Sequence, residues 1–161
     1  MPQTAGMIAK LVDAAAVIGD LEASNKDAAL KELLTAAQAS GAFTAAVQKV
    51  LHKRLVDREA IGSTGLGNGV AVPHVKGDNV SRPALVVARC RRGLEWQAID
   101  GRAVQILFFL VSPADEPEVH LQCLRWIAGL ARNADFRRFL LDAPTKDAMR
   151  ELLRELGNEE P

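Results

Sequence analysis

Gly62-Ser63-Thr64-Gly65-Leu66-Gly67-Asn68-Gly69-Val70-Ala71-Val72-Pro73-His74 carries a glycine-rich segment into a short apolar strand that ends on a histidine. Four glycines in eight residues permit backbone shapes that side chains forbid, and their amides can approach an anion closely. Val70, Ala71 and Val72 anchor the segment in a sheet. Pro73 fixes its own φ and biases Val72 towards an extended conformation, so the imidazole of His74 leaves the sheet in a restricted direction. That restriction suits chemistry at one ring nitrogen.

Two glycine motifs for nucleotides do not fit. A P-loop requires a lysine followed by Ser or Thr, and no lysine lies between Glu59 and Val75. A dinucleotide fingerprint starting at Gly65 would need a third glycine where Val70 stands, and it would open a helix instead of a strand.

Outward from this segment, near-continuous apolar runs at residues 84–90 and 104–111 have the character of strands covered on both faces by helices, central in the sheet. Between them Arg92-Gly93 and Asp100-Gly101 are turn signals that bracket a short edge piece at residues 94–97. Residues 15–21 form a weak strand candidate. Ser24 and Asp27, in capping-box spacing, precede the apolar set Ala28, Leu30, Leu33, Leu34 and Ala37, which predicts a helix ending near Gly41. A second helix is expected over residues 44–57, with Val47, Val50, Leu51 and Leu55 inward and Gln48, Lys49 and Lys53 opposite. Asp115 and Glu118 around Pro117 start another that runs to about Arg132, and residues 135–141 and 145–156 read as two more before a fraying tail. The chain is thus a single α/β domain over residues 1–161, with no repeat or linker.

Bulk properties restrict function. The 161 residues carry 20 Lys plus Arg against 20 Asp plus Glu, so no overall field attracts nucleic acid or an anionic membrane, and any anion site must be local. The longest apolar run, residues 106–111, is far too short to span a bilayer, and no leader pattern opens the sequence. A cytoplasmic protein without direct membrane insertion is expected. Cys90 and Cys123 read as buried reduced thiols. His120 and Cys123 stand on one helical face, but two candidate ligands do not make a zinc site, so no metal is expected.

The site residues resemble the type 2 IIA phosphocarrier domains of the bacterial phosphotransferase system, the mannitol/fructose class, and most closely its nitrogen-regulatory branch. Glu59 matches an acidic or amide position, Leu66 and Gly67 an apolar-small pair, and Val70-Ala71-Val72-Pro73-His74 the apolar-Ala-apolar-Pro-His core. Ser81-Arg82-Pro83, Ile99-Asp100-Gly101, residues 104–111 and His120-Leu121 extend the likeness over about residues 30–153. The resemblance implies a central mixed β-sheet flanked by helices on both faces. One position departs: the β-branched Val75 follows the histidine where the family has a small residue, and it could crowd an approaching group.

What the resemblance implies is that His74 accepts a phosphoryl group from an HPr-like phosphohistidine carrier and passes it on. Imidazole suits the task, being nucleophilic when neutral near pH 7 and a good leaving group once phosphorylated. Transfer needs mainly alignment and charge neutralisation, which Arg58, the Ser63 and Thr64 hydroxyls and the amides of Gly65, Gly67 and Gly69 could supply. No cofactor is required. His120 matches the second site histidine of the family, near the start of its helix, where it could orient His74, donate to phosphate, or make a purely structural hydrogen bond. His52 has a solvated position, and Arg58 with Glu59 reads most simply as a surface pair near a helix end. Trp96 and Trp126 are packing residues.

The expected partners are the HPr-like carrier and either regulated target proteins or a separate permease subunit for fructose or mannitol. With no membrane or permease segment in the 161 residues, signalling is expected over uptake. From another class comes an interaction module of the same fold that has lost phosphotransfer, a reading motivated by Val75.

Overall fold

The two long apolar runs form the middle of the sheet. In the computed structural model, which describes residues 2–157, β5 (Ala84–Leu94) and β6 (Val104–Pro113) pair antiparallel, Val86 opposite Phe109 and Val87 opposite Phe108. β1 (Ala16–Ile18) lies parallel to β5 on its outer side. On the far side of β6 run β3 (Val70–Ala71) and β4 (His74–Gly77), both parallel to it, and β2 (Gly65–Gly67) pairs antiparallel with β3. The sheet is therefore mixed, in the order β1-β5-β6-β3-β2 with β4 beside β6.

Strand alternation splits the core into two layers. Ala71, Val75, Val86, Ala88, Leu107 and Phe109 face α2 (Lys26–Gln38) and α3 (Ala45–Ile61), packing on Leu30, Leu33, Leu34, Leu51 and Leu55. Their alternate neighbours Val70, Val72, Leu85, Val87, Ile106, Phe108 and Leu110 face α1 (Pro2–Asp13), α4 (Pro117–Arg132), α5 (Ala134–Asp142) and α6 (Lys146–Gly157). Burial of both faces is the reason these strands carry near-continuous apolar runs.

Several expected boundaries move. Residues 94–97 are not an edge strand: β5 continues through Arg92 and Gly93 to Leu94, with a register shift after Arg89 and Gly93 at φ +81°. A Cβ at Gly93 would lie 2.8 Å from that of Ala103, so only glycine allows the bulged strand to pass so close. Asn25, one residue after Ser24, caps α2, accepting from the Ala28 amide at 2.8 Å. Helix α3 runs four residues past the expected Asp57, and Val50 is exposed because the inward stripe passes through Leu51 and Leu55. Asp115 does not cap α4. Glu116 is the residue before Pro117 at the first helical position, and Asn133 caps α5 by accepting from the Phe136 amide at 3.0 Å. Helix α1 was not expected, although Ile8, Leu11, Val12 and Ala15 are at helical spacing and buried. The tail expected to fray lies largely outside the described residues.

Candidate functional site

Val72 and Pro73 separate β3 from β4, which begins at His74 beside β6, with His74 opposite Leu110 and Lys76 opposite Ser112. Alternation along β4 decides what each side chain meets. Val75 and Gly77 point into the layer of α2 and α3, so His74 and Lys76 face the α4 side, as do Leu110 and Ser112 of β6. Val75 is buried in the core behind the strand, 7% exposed, and does not lie in front of the imidazole. The crowding expected of a β-branched residue after the histidine is thereby overturned.

The His74 ring is held in one orientation. Its Nδ1 lies 2.7 Å from the carbonyl oxygen of Val72. A carbonyl can only accept, so Nδ1 carries the proton and donates, and in the neutral ring the lone pair sits on Nε2. The Val72 carbonyl was no part of the sequence reading, which gave only a restricted direction for the imidazole; the contact leaves Nε2 as the nitrogen not bonded to the backbone. His74 is partly exposed.

His120 stands over the same strand face, its ring centroid 5.6 Å from that of His74 with the planes tilted by 48°. It occupies the first turn of α4, where its amide closes on the Glu116 carbonyl at 3.2 Å. The side chain is buried, and its Nδ1 lies 2.8 Å from Oγ of Ser112. Burial, with smaller contributions from His74 and Lys76, pushes its pKa down to about 4, so it is neutral near pH 7.

The glycine segment folds as a hairpin. β2 and β3 are joined by Asn68 and Gly69 at φ +57° and +77°, the pair of positive dihedrals that a tight two-residue turn needs. The Gly69 carbonyl accepts from the amides of Gln105 and Ile106, and the Asn68 amide donates to Asp100. Gly65 lies against Ala98, where a Cβ would approach to 2.7 Å. Since His74 stands at the opposite end of β3 from this turn, about five residues or some 16 Å along an extended chain, Gly67 and Gly69 are not brought to the imidazole.

Ser63 and Thr64 are engaged elsewhere. Ser63 Oγ donates to the Trp96 carbonyl at 2.6 Å and accepts from the Gly65 amide at 3.0 Å. The Thr64 hydroxyl donates to Glu59 and accepts from the Trp96 indole N–H at 3.2 Å. The Glu59 side chain is 6% exposed and pairs with Lys26 at 3.0 Å, which corrects its reading as a surface partner of Arg58. Arg58 donates to the Gly62 carbonyl at 2.6 Å. Along α3, Arg54 bonds the Lys76 carbonyl at 2.9 Å, and neither histidine of the site hydrogen-bonds to Arg58 among the described residues. Its side chain springs from the helix layer on the other face.

The fold thus brings His74 and His120 together and adds Lys76 and Ser112, which sequence reading missed, while Arg58 is engaged with the Gly62 carbonyl. The signal for Lys76 was its spacing of two from His74 in an extended strand. Ser112 had none, since only the β4–β6 register puts it beside the site.

Residues 10–156 match the family model for the phosphoenolpyruvate-dependent sugar phosphotransferase system, EIIA 2. A nitrogen regulatory protein from Pseudomonas aeruginosa is 36% identical over 110 residues, 68% of this chain and 71% of that protein. A fructose-specific EIIA component from Haloferax volcanii is 35% identical over 102 residues, 63% of this chain and 66% of the relative. The crystal structure of nitrogen regulatory protein IIA-Ntr from Neisseria meningitidis superposes with a TM-score of 0.77 at 27% identity, covering 91% of this chain and 98% of the other.

Proposed function

Because the chain belongs to the EIIA 2 family of the phosphoenolpyruvate-dependent sugar phosphotransferase system, we propose that it is a phosphohistidine phosphocarrier, accepting a phosphoryl group on His74 from an HPr-like carrier and acting mainly as a nitrogen or metabolic regulator. The observation that carries this reading is the orientation of one ring. With Nδ1 of His74 donating to the Val72 carbonyl, Nε2 is the nucleophile. Its lone pair attacks the phosphorus of the donor phosphohistidine. The new P–N bond forms as the old one breaks, and the departing electron pair stays on the donor ring nitrogen.

His120 is the neighbouring hydrogen-bond donor to the transferring group, and Lys76, on the same strand face as His74, supplies positive charge together with Arg58. In this proposal Ser63, Thr64, Gly65, Gly67 and Gly69 act indirectly, by fixing the hairpin from which the His74 strand emerges. A phosphate on His74 adds negative charge at a surface that partners touch, so the two states bind different proteins. The regulatory role is supported by the similarity to the nitrogen regulatory proteins.

The similarity to a fructose-specific EIIA component favours a second reading, donation of phosphate to a separate permease subunit. Complementation of fructose uptake in a strain lacking its own IIA component discriminates the two. The first test is phosphorylation: the chain is incubated with phosphoenolpyruvate, an HPr-like carrier and the kinase that charges it. Acid-labile phosphate on the wild type and none on His74→Ala is the expected result. Label that persists in the folded His74→Ala chain overturns the assignment.

A further inference from the structure

Ser112 lies at the end of β6, fully buried, with its Oγ 2.8 Å from Nδ1 of His120. Among the described residues this is the one hydrogen bond of that hydroxyl. A serine hydroxyl can donate or accept, and a neutral imidazole nitrogen does one or the other according to tautomer. The two arrangements are unequal here. If Nδ1–H donated to Oγ, the hydroxyl proton would be left inside the core without an acceptor, whereas donation by Oγ–H to an unprotonated Nδ1 leaves neither group orphaned.

We infer that Ser112 is a positioning residue for phosphotransfer: its hydroxyl donates to Nδ1 of His120 and so fixes the neutral ring as the Nε2–H tautomer, a hydrogen-bond donor on the edge turned away from β6. The inference rests on the phosphocarrier reading for its purpose, though not for its geometry. His74 keeps its proton on Nδ1, bonded to Val72, and offers a lone pair at Nε2; His120 accepts at Nδ1 and offers a proton at Nε2. Two adjacent imidazoles are thus set to opposite roles by two groups of the sheet, one a carbonyl and one a hydroxyl. The choice matters because burial keeps His120 neutral, and a charged ring would carry both protons whatever Ser112 did. His74 and Lys76 share that face, and among the described residues neither hydrogen-bonds to His120.

The test joins spectroscopy to kinetics. Long-range ¹H–¹⁵N correlation on the wild-type chain at pH 7 is expected to find His120 with an unprotonated Nδ1 and a protonated Nε2. Ser112→Ala is expected to move the Nδ1 resonance to that of a nitrogen without a donor. The same substitution should slow phosphoryl transfer to His74 by about tenfold, less than the 10²–10³ typical of deleting a transition-state donor outright, with KM for the donor carrier unchanged. Ser112→Thr, which keeps the hydroxyl, should restore both signals. A His120 that is Nδ1–H in the folded wild type overturns the inference, as does a folded Ser112→Ala chain that transfers at the wild-type rate. If the wild type accepts no phosphate, the phosphocarrier reading fails separately, and the tautomer measurement still decides whether Ser112 sets the ring.

Discussion

The carboxylate of Glu59, at the end of α3, and the ammonium of Lys26, at the start of α2, form an ion pair of 3.0 Å in which the Glu59 side chain is only 6% exposed. The same carboxylate accepts from the Thr64 amide at 3.3 Å and from the Thr64 hydroxyl, while Lys26 lies 5.0 Å from the Trp96 ring centroid. One acidic side chain therefore ties two helices to the first residues of the hairpin. Removing it leaves a half-buried cation and a buried hydroxyl without their acceptor. Glu59→Ala should lose about 2–4 kcal/mol in urea unfolding, within the range for breaking a buried pair. Lys26→Met should cost less, because Thr64 keeps its partner.

Val75 faces the core, so in the proposed phosphotransfer its size is expected to act on stability and not on the approach of the donor. Val75→Ala is expected to lower stability by about 1–3 kcal/mol through lost burial and a residual cavity beside Leu51 and Leu55. The rate of phosphoryl transfer should not rise. A faster reaction in this variant, followed by acid-labile label, would reinstate crowding.

Two glycines of one segment should respond oppositely to a methyl group. At Gly65 the added Cβ would lie 2.7 Å from the Cβ and 2.8 Å from the Cα of Ala98, so the loop of residues 95–103 must move; a loss of about 1–3 kcal/mol is expected for Gly65→Ala. At Gly62 the backbone is extended, φ 178°, and a Cβ meets nothing within 4 Å. Gly62→Ala should stay within about 0.5 kcal/mol of the wild type in the same thermal or urea unfolding comparison.

His120 gives stability a pH dependence of known sign. Its folded pKa of about 4 lies below its ordinary 6.5, so between these values the unfolded chain binds the proton and the folded chain does not. Stability is complete above about pH 6.5 and falls as the pH drops towards 4, by roughly 2–3 kcal/mol for this group. Urea unfolding across that window should have this component in the wild type and lack it in His120→Gln. An identical pH dependence in both chains would contradict the buried neutral ring.

Much of this architecture was legible in the residues. Near-continuous apolar runs at β5 and β6 required cover on both faces, and helical spacing in α2, α4, α5 and α6 supplied it. Helix caps were less legible, because Ser24 and Asn25, or Asp115 and Glu116, compete within one residue and the winner depends on where the preceding chain enters. The glycine segment was legible as unusual backbone; its use as a hairpin turn and a close-packed edge was not, since glycines that cradle an anion and glycines that make a turn share the same conformational freedom.

By itself, the sequence determined the restricted backbone of Val72-Pro73-His74, a local matter of one fixed φ; that His74 opens β4 beside β6, with its Nδ1 on the Val72 carbonyl, came from the structure. Only the tertiary structure decided what the imidazole meets. His120 reaches it through the seat of α4 on that face, the register of β6 against β4 sets Ser112 behind His120, and the Glu59 side chain is covered where it pairs with Lys26 of α2. Local torsion preferences act within a few residues, whereas register between distant strands is fixed by the packing of whole faces, which no short stretch of chain encodes.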